Sequence, residues 1–267
     1  MRQTELSVVM NISLKINGYD YRIEITEEEL RSLYHPILKK IKKIHFQKER
    51  PRAITKIILA GPPGSGKSTF AAGLVEMSKM QEGLSMQVVG IDGFHFSMNY
   101  MNSKIIEHHG HQIPLSKLKG SPVSYDVEGL IKKWESVSHK QVSWPLYDRN
   151  LHEPIPDQIL LESDVVLLEG NWTLLNEYPW NQIKNSADWS IFIFAEEHQV
   201  IDRLKSRKLR GGTTLEEVEA HYELTDKPNV LRVLNNSLRA DTDLVWKMKS
   251  GSERLEMVRD TTLQTSD

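Results

Sequence analysis

Cysteine is absent from the 267 residues, which excludes disulfide bonds, thiolate catalysis and cysteine-ligated zinc. No apolar run is long enough to span a bilayer, and the opening MRQTELSVVMNISLK lacks the charged-then-apolar layout of a secretory signal. A cytoplasmic location with no membrane partner is the expectation. Neither sign of charge prevails: 34 Lys and Arg stand against 36 Asp and Glu, a net charge of -2. There is then no global basic field to gather nucleic acid. Internal repeats and low-complexity tracts are missing too. With 39% hydrophobic residues, a chain of this length can bury one sizeable core.

Three segments are expected: a hairpin and helix over 1–50, a central domain over 51–250 and a polar tail over 251–267. Ile12, Leu14 and Ile16 alternate with polar residues, Asn17-Gly18 supplies a two-residue turn, and Tyr19, Tyr21, Ile23 and Ile25 resume the alternation. That pattern predicts a β-hairpin, whose exposed edge leaves a homodimer open. Thr26 followed by three glutamates predicts a capped helix start. Leu30, Leu33, Ile37, Leu38, Ile41 and Ile44 keep helical spacing until Pro51. The tail, which ends QTSD, is expected to be frayed.

From Lys56 onward short apolar runs alternate with helical stretches, at 56–60, 87–91, 165–168, 189–195 and 242–248. This order predicts an α/β fold with a parallel sheet covered on both faces, and ligands bound beyond the carboxyl ends of the strands. Directly after the first run comes Gly61-Pro62-Pro63-Gly64-Ser65-Gly66-Lys67-Ser68-Thr69, followed by a helical pattern. This is a complete Walker A loop in its strand-loop-helix context. Backbone N–H groups of such a loop surround phosphate oxygens, and the helix aims its positive end at them. Lys67 is expected on the β and γ phosphates and Ser68 on magnesium, so ATP and Mg2+ are the predicted cofactors.

Two further runs end in acids, at Asp92 and Glu169. A P-loop enzyme uses one such carboxylate to hold hydrated magnesium and a second to orient or deprotonate the attacking hydroxyl. An isolated strand-end acid is equally compatible with a turn or helix cap.

Together with Asp92-Gly-Phe-His95, Lys119-Gly120 before Tyr125-Asp126, Pro145-Leu-Tyr-Asp-Arg149, Glu169-Gly-Asn-Trp172 and Ala240-Asp241, the Walker A loop resembles the uridine kinase, pantothenate kinase and phosphoribulokinase group. More narrowly, the chain is similar to nucleoside-kinase-like proteins named as fructose transport system kinases. The likeness covers roughly residues 53–248. It implies a doubly wound sheet of the P-loop NTP hydrolase, nucleoside monophosphate kinase-like type, with Asp92 as acceptor-side base and Glu169 near magnesium. It also implies a lid over the triphosphate. Arg203, Arg207 and Arg210 share one face of the predicted helix 196–210, and Arg203 and Arg207 are the expected lid residues.

The polar stretch between Asp92 and Glu169 is expected to wall an acceptor pocket. His95, Lys119, Tyr147, Arg149 and Trp172 are its candidate substrate contacts, and the other tryptophans are expected in the core. Asp241 is equally compatible with a place near adenine and with a simple turn. The histidines at 108, 109 and 111 fit no usual zinc spacing. The expected activity is transfer of the γ-phosphoryl group of ATP to a hydroxyl of a small molecule, either sugar or nucleoside-like. The alternatives are an ATP- or GTP-dependent regulatory switch and a non-catalytic binding module. The Asn-Lys-x-Asp guanine signature is absent.

Overall fold

The computed structural model describes residues 8–16, 19–48, 53–80, 83–108, 110–138, 141–249 and 252–260. The Asn17-Gly18 turn, Pro51, His109 and the QTSD end lie outside them.

Strict alternation pairs β1 (Val8–Ile16) with β2 (Tyr19–Thr26) as an antiparallel hairpin, Ile12 facing Ile23. Thr26 then caps α1 (Glu27–Glu29): its hydroxyl accepts from the Glu29 backbone N–H, and the Glu29 carboxylate accepts from the Thr26 N–H at 3.0 Å. A π-helical turn over Leu30–Tyr34 leads into α2 (His35–Phe46).

The chain next runs through β3 (Thr55–Ala60), α3 (Lys67–Met80), β4 (Met86–Gly90) and a 3-10 turn at Ile91–Phe94. After α4 (Met98–Ser103) come the hairpin of β5 (Ile105–His108) and β6 (His111–Pro114), α5 (Val127–Ser136), and the hairpin of β7 (Val142–Asp148) and β8 (Glu153–Leu161). It closes with β9 (Val165–Gly170), β10 (Trp189–Phe194), α6 (Glu197–Arg210), α7 (Leu215–His221), α8 (Lys227–Asn236), β11 (Thr242–Lys249) and β12 (Ser252–Asp260).

The central sheet has the order β12-β11-β10-β3-β9-β4. Every pairing from β11 to β4 is parallel, because each crossover carries helix, and β3, in the middle, is buried along its whole length. On one face Phe70, Leu74 and Met77 of α3 share a core with Leu33, Ile37, Leu38 and Ile41 from the hairpin-and-helix segment. On the other, Trp134, Trp144, Trp172 and Trp180 pack over Ile58, Val166 and Leu168. No helix among the described residues is long and apolar enough to cross a membrane.

One expectation fails here. Residues 252–260 of the supposedly frayed tail form β12, antiparallel to β11. Ladder hydrogen bonds and ion pairs hold it together with one apolar anchor: Arg254 meets Glu29 at 3.1 Å, Glu253 meets Arg203, and Leu255 is the one buried side chain of the strand. A polar sequence can be an edge strand because its outward face is solvated.

Candidate active site

The loop between β3 and α3 turns on glycines whose backbone other residues resist. Gly66 has φ +87°, and a Cβ there would lie 3.1 Å from the Trp246 ring. Trp246 in turn donates its indole N–H to the Ser65 carbonyl at 2.8 Å, so the last parallel strand braces the loop. Lys67 is buried and donates to the carbonyls of Gly61 and Pro62, both at 2.9 Å, and to Asn171 Oδ1 at 2.7 Å. Burial pulls its ammonium down to about 8, against the attraction of Glu169, and the nearby Arg207 charge pushes the same way as burial.

Glu169, in the penultimate position of β9, accepts from the Ser68 hydroxyl through Oε1 at 3.0 Å. Its Oε2 is buried with no hydrogen-bond partner. Burial raises the carboxyl above its ordinary range, against the pull of Lys67 and of the Ser68 bond. An orphaned carboxylate oxygen beside a hydroxyl fits a hard divalent cation that takes its other ligands from water and phosphate. Among the described residues no cluster of three His, Asp or Glu side chains could hold a metal by itself.

Asp92 sits in the 3-10 turn just past β4, two residues beyond the strand end. Its Oδ2 accepts from Arg149 at 2.9 Å and its Oδ1 from the Tyr125 hydroxyl at 3.4 Å. Burial, followed by the Asp92 charge, keeps the Tyr125 phenol protonated, as a donor must be. His95 lies over Tyr125 with ring centres 3.8 Å apart, and its Nδ1 is 2.9 Å from the Asp92 carbonyl oxygen. Because a carbonyl only accepts, Nδ1 carries the proton. Burial, opposed by Asp92, lowers the imidazole so that it stays neutral at pH 7 with Nε2 free to accept.

Tyr147 and Arg149 arrive on and just after β7, which packs so closely on the Asp92 turn that a Cβ on Gly93 would lie 2.4 Å from the Pro145 carbonyl oxygen. Lys119 reaches the His152 carbonyl at 3.3 Å and lies 5.1 Å over the Tyr147 ring.

On the other side α6 carries the arginines. Arg203 is paired with Glu253, donates to the Gly64 carbonyl at 3.3 Å and stacks 4.5 Å over Trp246. Those contacts brace the loop and hold the side chain in place. Arg207 lies close enough to Lys67 to depress its basicity, and no ion pair engages Arg207 among the described residues. Helix α6 packs on α7, on a π-helical turn over Tyr222–Asp226, and on α8.

These parts enclose one cleft of about 1000 Å³. It is lined by Pro63, Gly64, Gly66, Lys67, Ser68 and Thr69 of the loop, by the acids Asp92 and Glu169, by His95, Lys119, Tyr147 and Arg149, and by the α6 arginines. Gly61, Pro62 and Ser65 lie beneath the lining. Trp172, expected to touch substrate, does not line the cleft: it is fully buried and gives its indole N–H to the Gly120 carbonyl at 3.1 Å, which positions the segment carrying Lys119. Asp241 ties β10 to β11 by accepting from the Ser190 N–H at 2.9 Å and hydroxyl at 2.6 Å, which is its turn role. His108 and His111 face each other across the β5–β6 hairpin, away from the cleft.

Sequence reading passed over Tyr125 and Asn171, though both stand inside the quoted motifs. It also missed Asp226 and Asn229, 8% exposed each, on the wall beyond α6; no local motif marks them.

Comparison with known proteins supplies the family. The protein YggC of Escherichia coli strain K12, itself uncharacterized, is 34% identical over 233 residues, which is 87% of this chain and 94% of YggC. A candidate uridine kinase of Schizosaccharomyces pombe is 26% identical over 181 residues, 66% of this chain and 74% of its own. The crystal structure of a candidate fructose transport system kinase from Silicibacter sp. TM1040 superposes with a TM-score of 0.68 at 26% identity, over 79% of this chain and 98% of that one. The profile of the phosphoribulokinase / uridine kinase family matches residues 56–251. That span takes in the parallel strands, all but Thr55 at the start of β3, and the whole lining of the cleft, and the chain belongs to the phosphoribulokinase / uridine kinase family of P-loop kinases.

Proposed function

We propose that this kinase transfers the γ-phosphoryl group of ATP to a hydroxyl of a small molecule. The observation that carries the reading is the position of Asp92: a carboxylate on the same cleft as Lys67 and Glu169, with a polar wall of its own where an acceptor fits. Loop N–H groups and Lys67 hold the phosphates, which requires Lys67 to exchange its carbonyl partners for phosphate oxygens. Ser68 and Glu169 would hold Mg2+, which would supply charge neutralisation at the phosphates when bound.

Asp92 accepts the proton of the acceptor hydroxyl as the new O–P bond forms. The bond from the γ phosphorus to the bridging oxygen breaks, and ADP leaves with that oxygen. The Arg149 contact orients the carboxylate until the acceptor arrives. Arg207 faces the charge that spreads onto the transferred group.

The test is ADP release with ATP and Mg2+ across sugars, nucleosides and pantothenate. Acceptor-dependent release should fall roughly 10²- to 10⁴-fold in Asp92→Asn while ATP binding persists. Release that ignores every acceptor and the substitution would overturn the reading in favour of a switch or a binding module.

A further inference from the structure

We infer that the acceptor carries an anionic group, carboxylate or phosphate, apart from its reacting hydroxyl, and that Lys119 is the specificity-determining residue that seats it. This rests on the kinase reading and adds the chemical class of the acceptor.

Two cations converge on one aromatic ring in the cleft wall: the Lys119 ammonium 5.1 Å and the Arg149 guanidinium 5.9 Å from the centre of Tyr147. A ring face stabilises each cation but does nothing to reduce their mutual repulsion. Asp92 balances Arg149 at 2.9 Å. Lys119 has no such partner: besides the Tyr147 ring it meets the Met98 sulfur and the His152 carbonyl, both at 3.3 Å, and no carboxylate pairs with it among the described residues. Glu153, which accepts from the Met98 backbone N–H at 3.0 and 3.2 Å, forms no ion pair with Lys119.

The acceptor wall therefore holds one ammonium without an ion-pair partner among the described residues, on a side chain kept in place by Tyr147 and, through Gly120, by buried Trp172. A neutral sugar or nucleoside offers that ammonium only neutral acceptor oxygens. An anionic group forms a charge-assisted hydrogen bond, roughly twice as strong, in a partly desolvated cleft. The rest of the wall suits a polyol: Tyr125 and His95, which give their protons to Asp92, keep the phenol oxygen and Nε2 as acceptors beside it, where a hydroxyl would be aligned.

D-Glucose, D-gluconate and D-glucose 6-phosphate share a carbon skeleton and separate the arms. Binding of each to the protein loaded with magnesium and a non-hydrolysable ATP analogue is measured by calorimetry, and turnover with ATP by ADP release. The anionic acceptors should bind about 10- to 100-fold more tightly than D-glucose, the cost of one hydrogen bond to a charged group. The preferred arm tells carboxylate from phosphate. In Lys119→Gln the KM for the anionic acceptor should rise by a similar factor with kcat largely kept, the signature of lost ground-state binding, and Lys119→Arg should restore most of it. Equal binding of all three probes, or a Lys119→Gln effect that is the same with glucose, would sink the inference even if phosphoryl transfer is real. Lys119-dependent binding of an anion without any transfer would uphold it while removing the kinase reading.

Discussion

Lys67 illustrates how one side chain ties folding to ligand binding. Its ordinary pKa of 10.5 is pulled to about 8 by burial, so between those values the unfolded chain holds more of this proton than the folded one. On this group alone, the unliganded protein gains stability as pH rises from about 8 toward 10.5 and loses it as pH falls back through about 8. Phosphate reverses the preference by favouring the ammonium. Nucleotide binding at about pH 9 should therefore take up protons, seen as a dependence of calorimetric heat on buffer ionisation enthalpy, and Lys67→Met should abolish that dependence. The Walker A spacing reveals the lysine, but not its partners. Asn171, 104 residues away, comes beside it only when β9 lies next to β3.

At the scale of elements, the acceptor side depends on how closely β7 approaches the turn that follows β4. The Gly93 contact with Pro145 is backbone against backbone and has no flexible atom to move. Gly93→Ala should cost about 1–3 kcal/mol of stability in urea denaturation. It should also lower acceptor turnover more than ATP affinity, because Tyr147 and Arg149 move with β7 while the phosphate loop is untouched. A full loss of ATP binding in a folded Gly93→Ala protein would contradict this geometry. The helical periodicity of α6 shows that its arginines share a side. The division of labour among them depends on β12, which supplies Glu253 to Arg203 and leaves Arg207 to face Lys67.

For the whole molecule, the hairpin, α2 and β12 finish a core that the central sheet begins. Ending the chain before Ser252 removes Leu255 from that core and uncouples Arg254 from Glu29 and Glu253 from Arg203. The truncated protein should lose at least about 2 kcal/mol, the lower range for deleting one buried leucine side chain, and its melting temperature should drop accordingly. An unchanged melting curve would show that β12 adds no net stability.

What the sequence determined by itself are the features set by near neighbours in the chain. The strand-loop-helix around Gly61–Thr69 follows from glycine conformations and apolar periodicity. The Thr26 cap follows from side chains three residues apart, and the two acids at the cleft follow from apolar runs that must end where the sheet does. Only the tertiary structure decided which candidates share the cleft, because their partners stand far off in sequence: Trp246 under Ser65 across 181 residues, Arg203 on Gly64 across 139, and Arg149 on Asp92 across 57. Trp172 shows the same limit from the opposite side. A motif set it beside Glu169, but the space between the sheet and α5 took its indole into the core, since a large apolar ring gains more from burial than from a polar cleft.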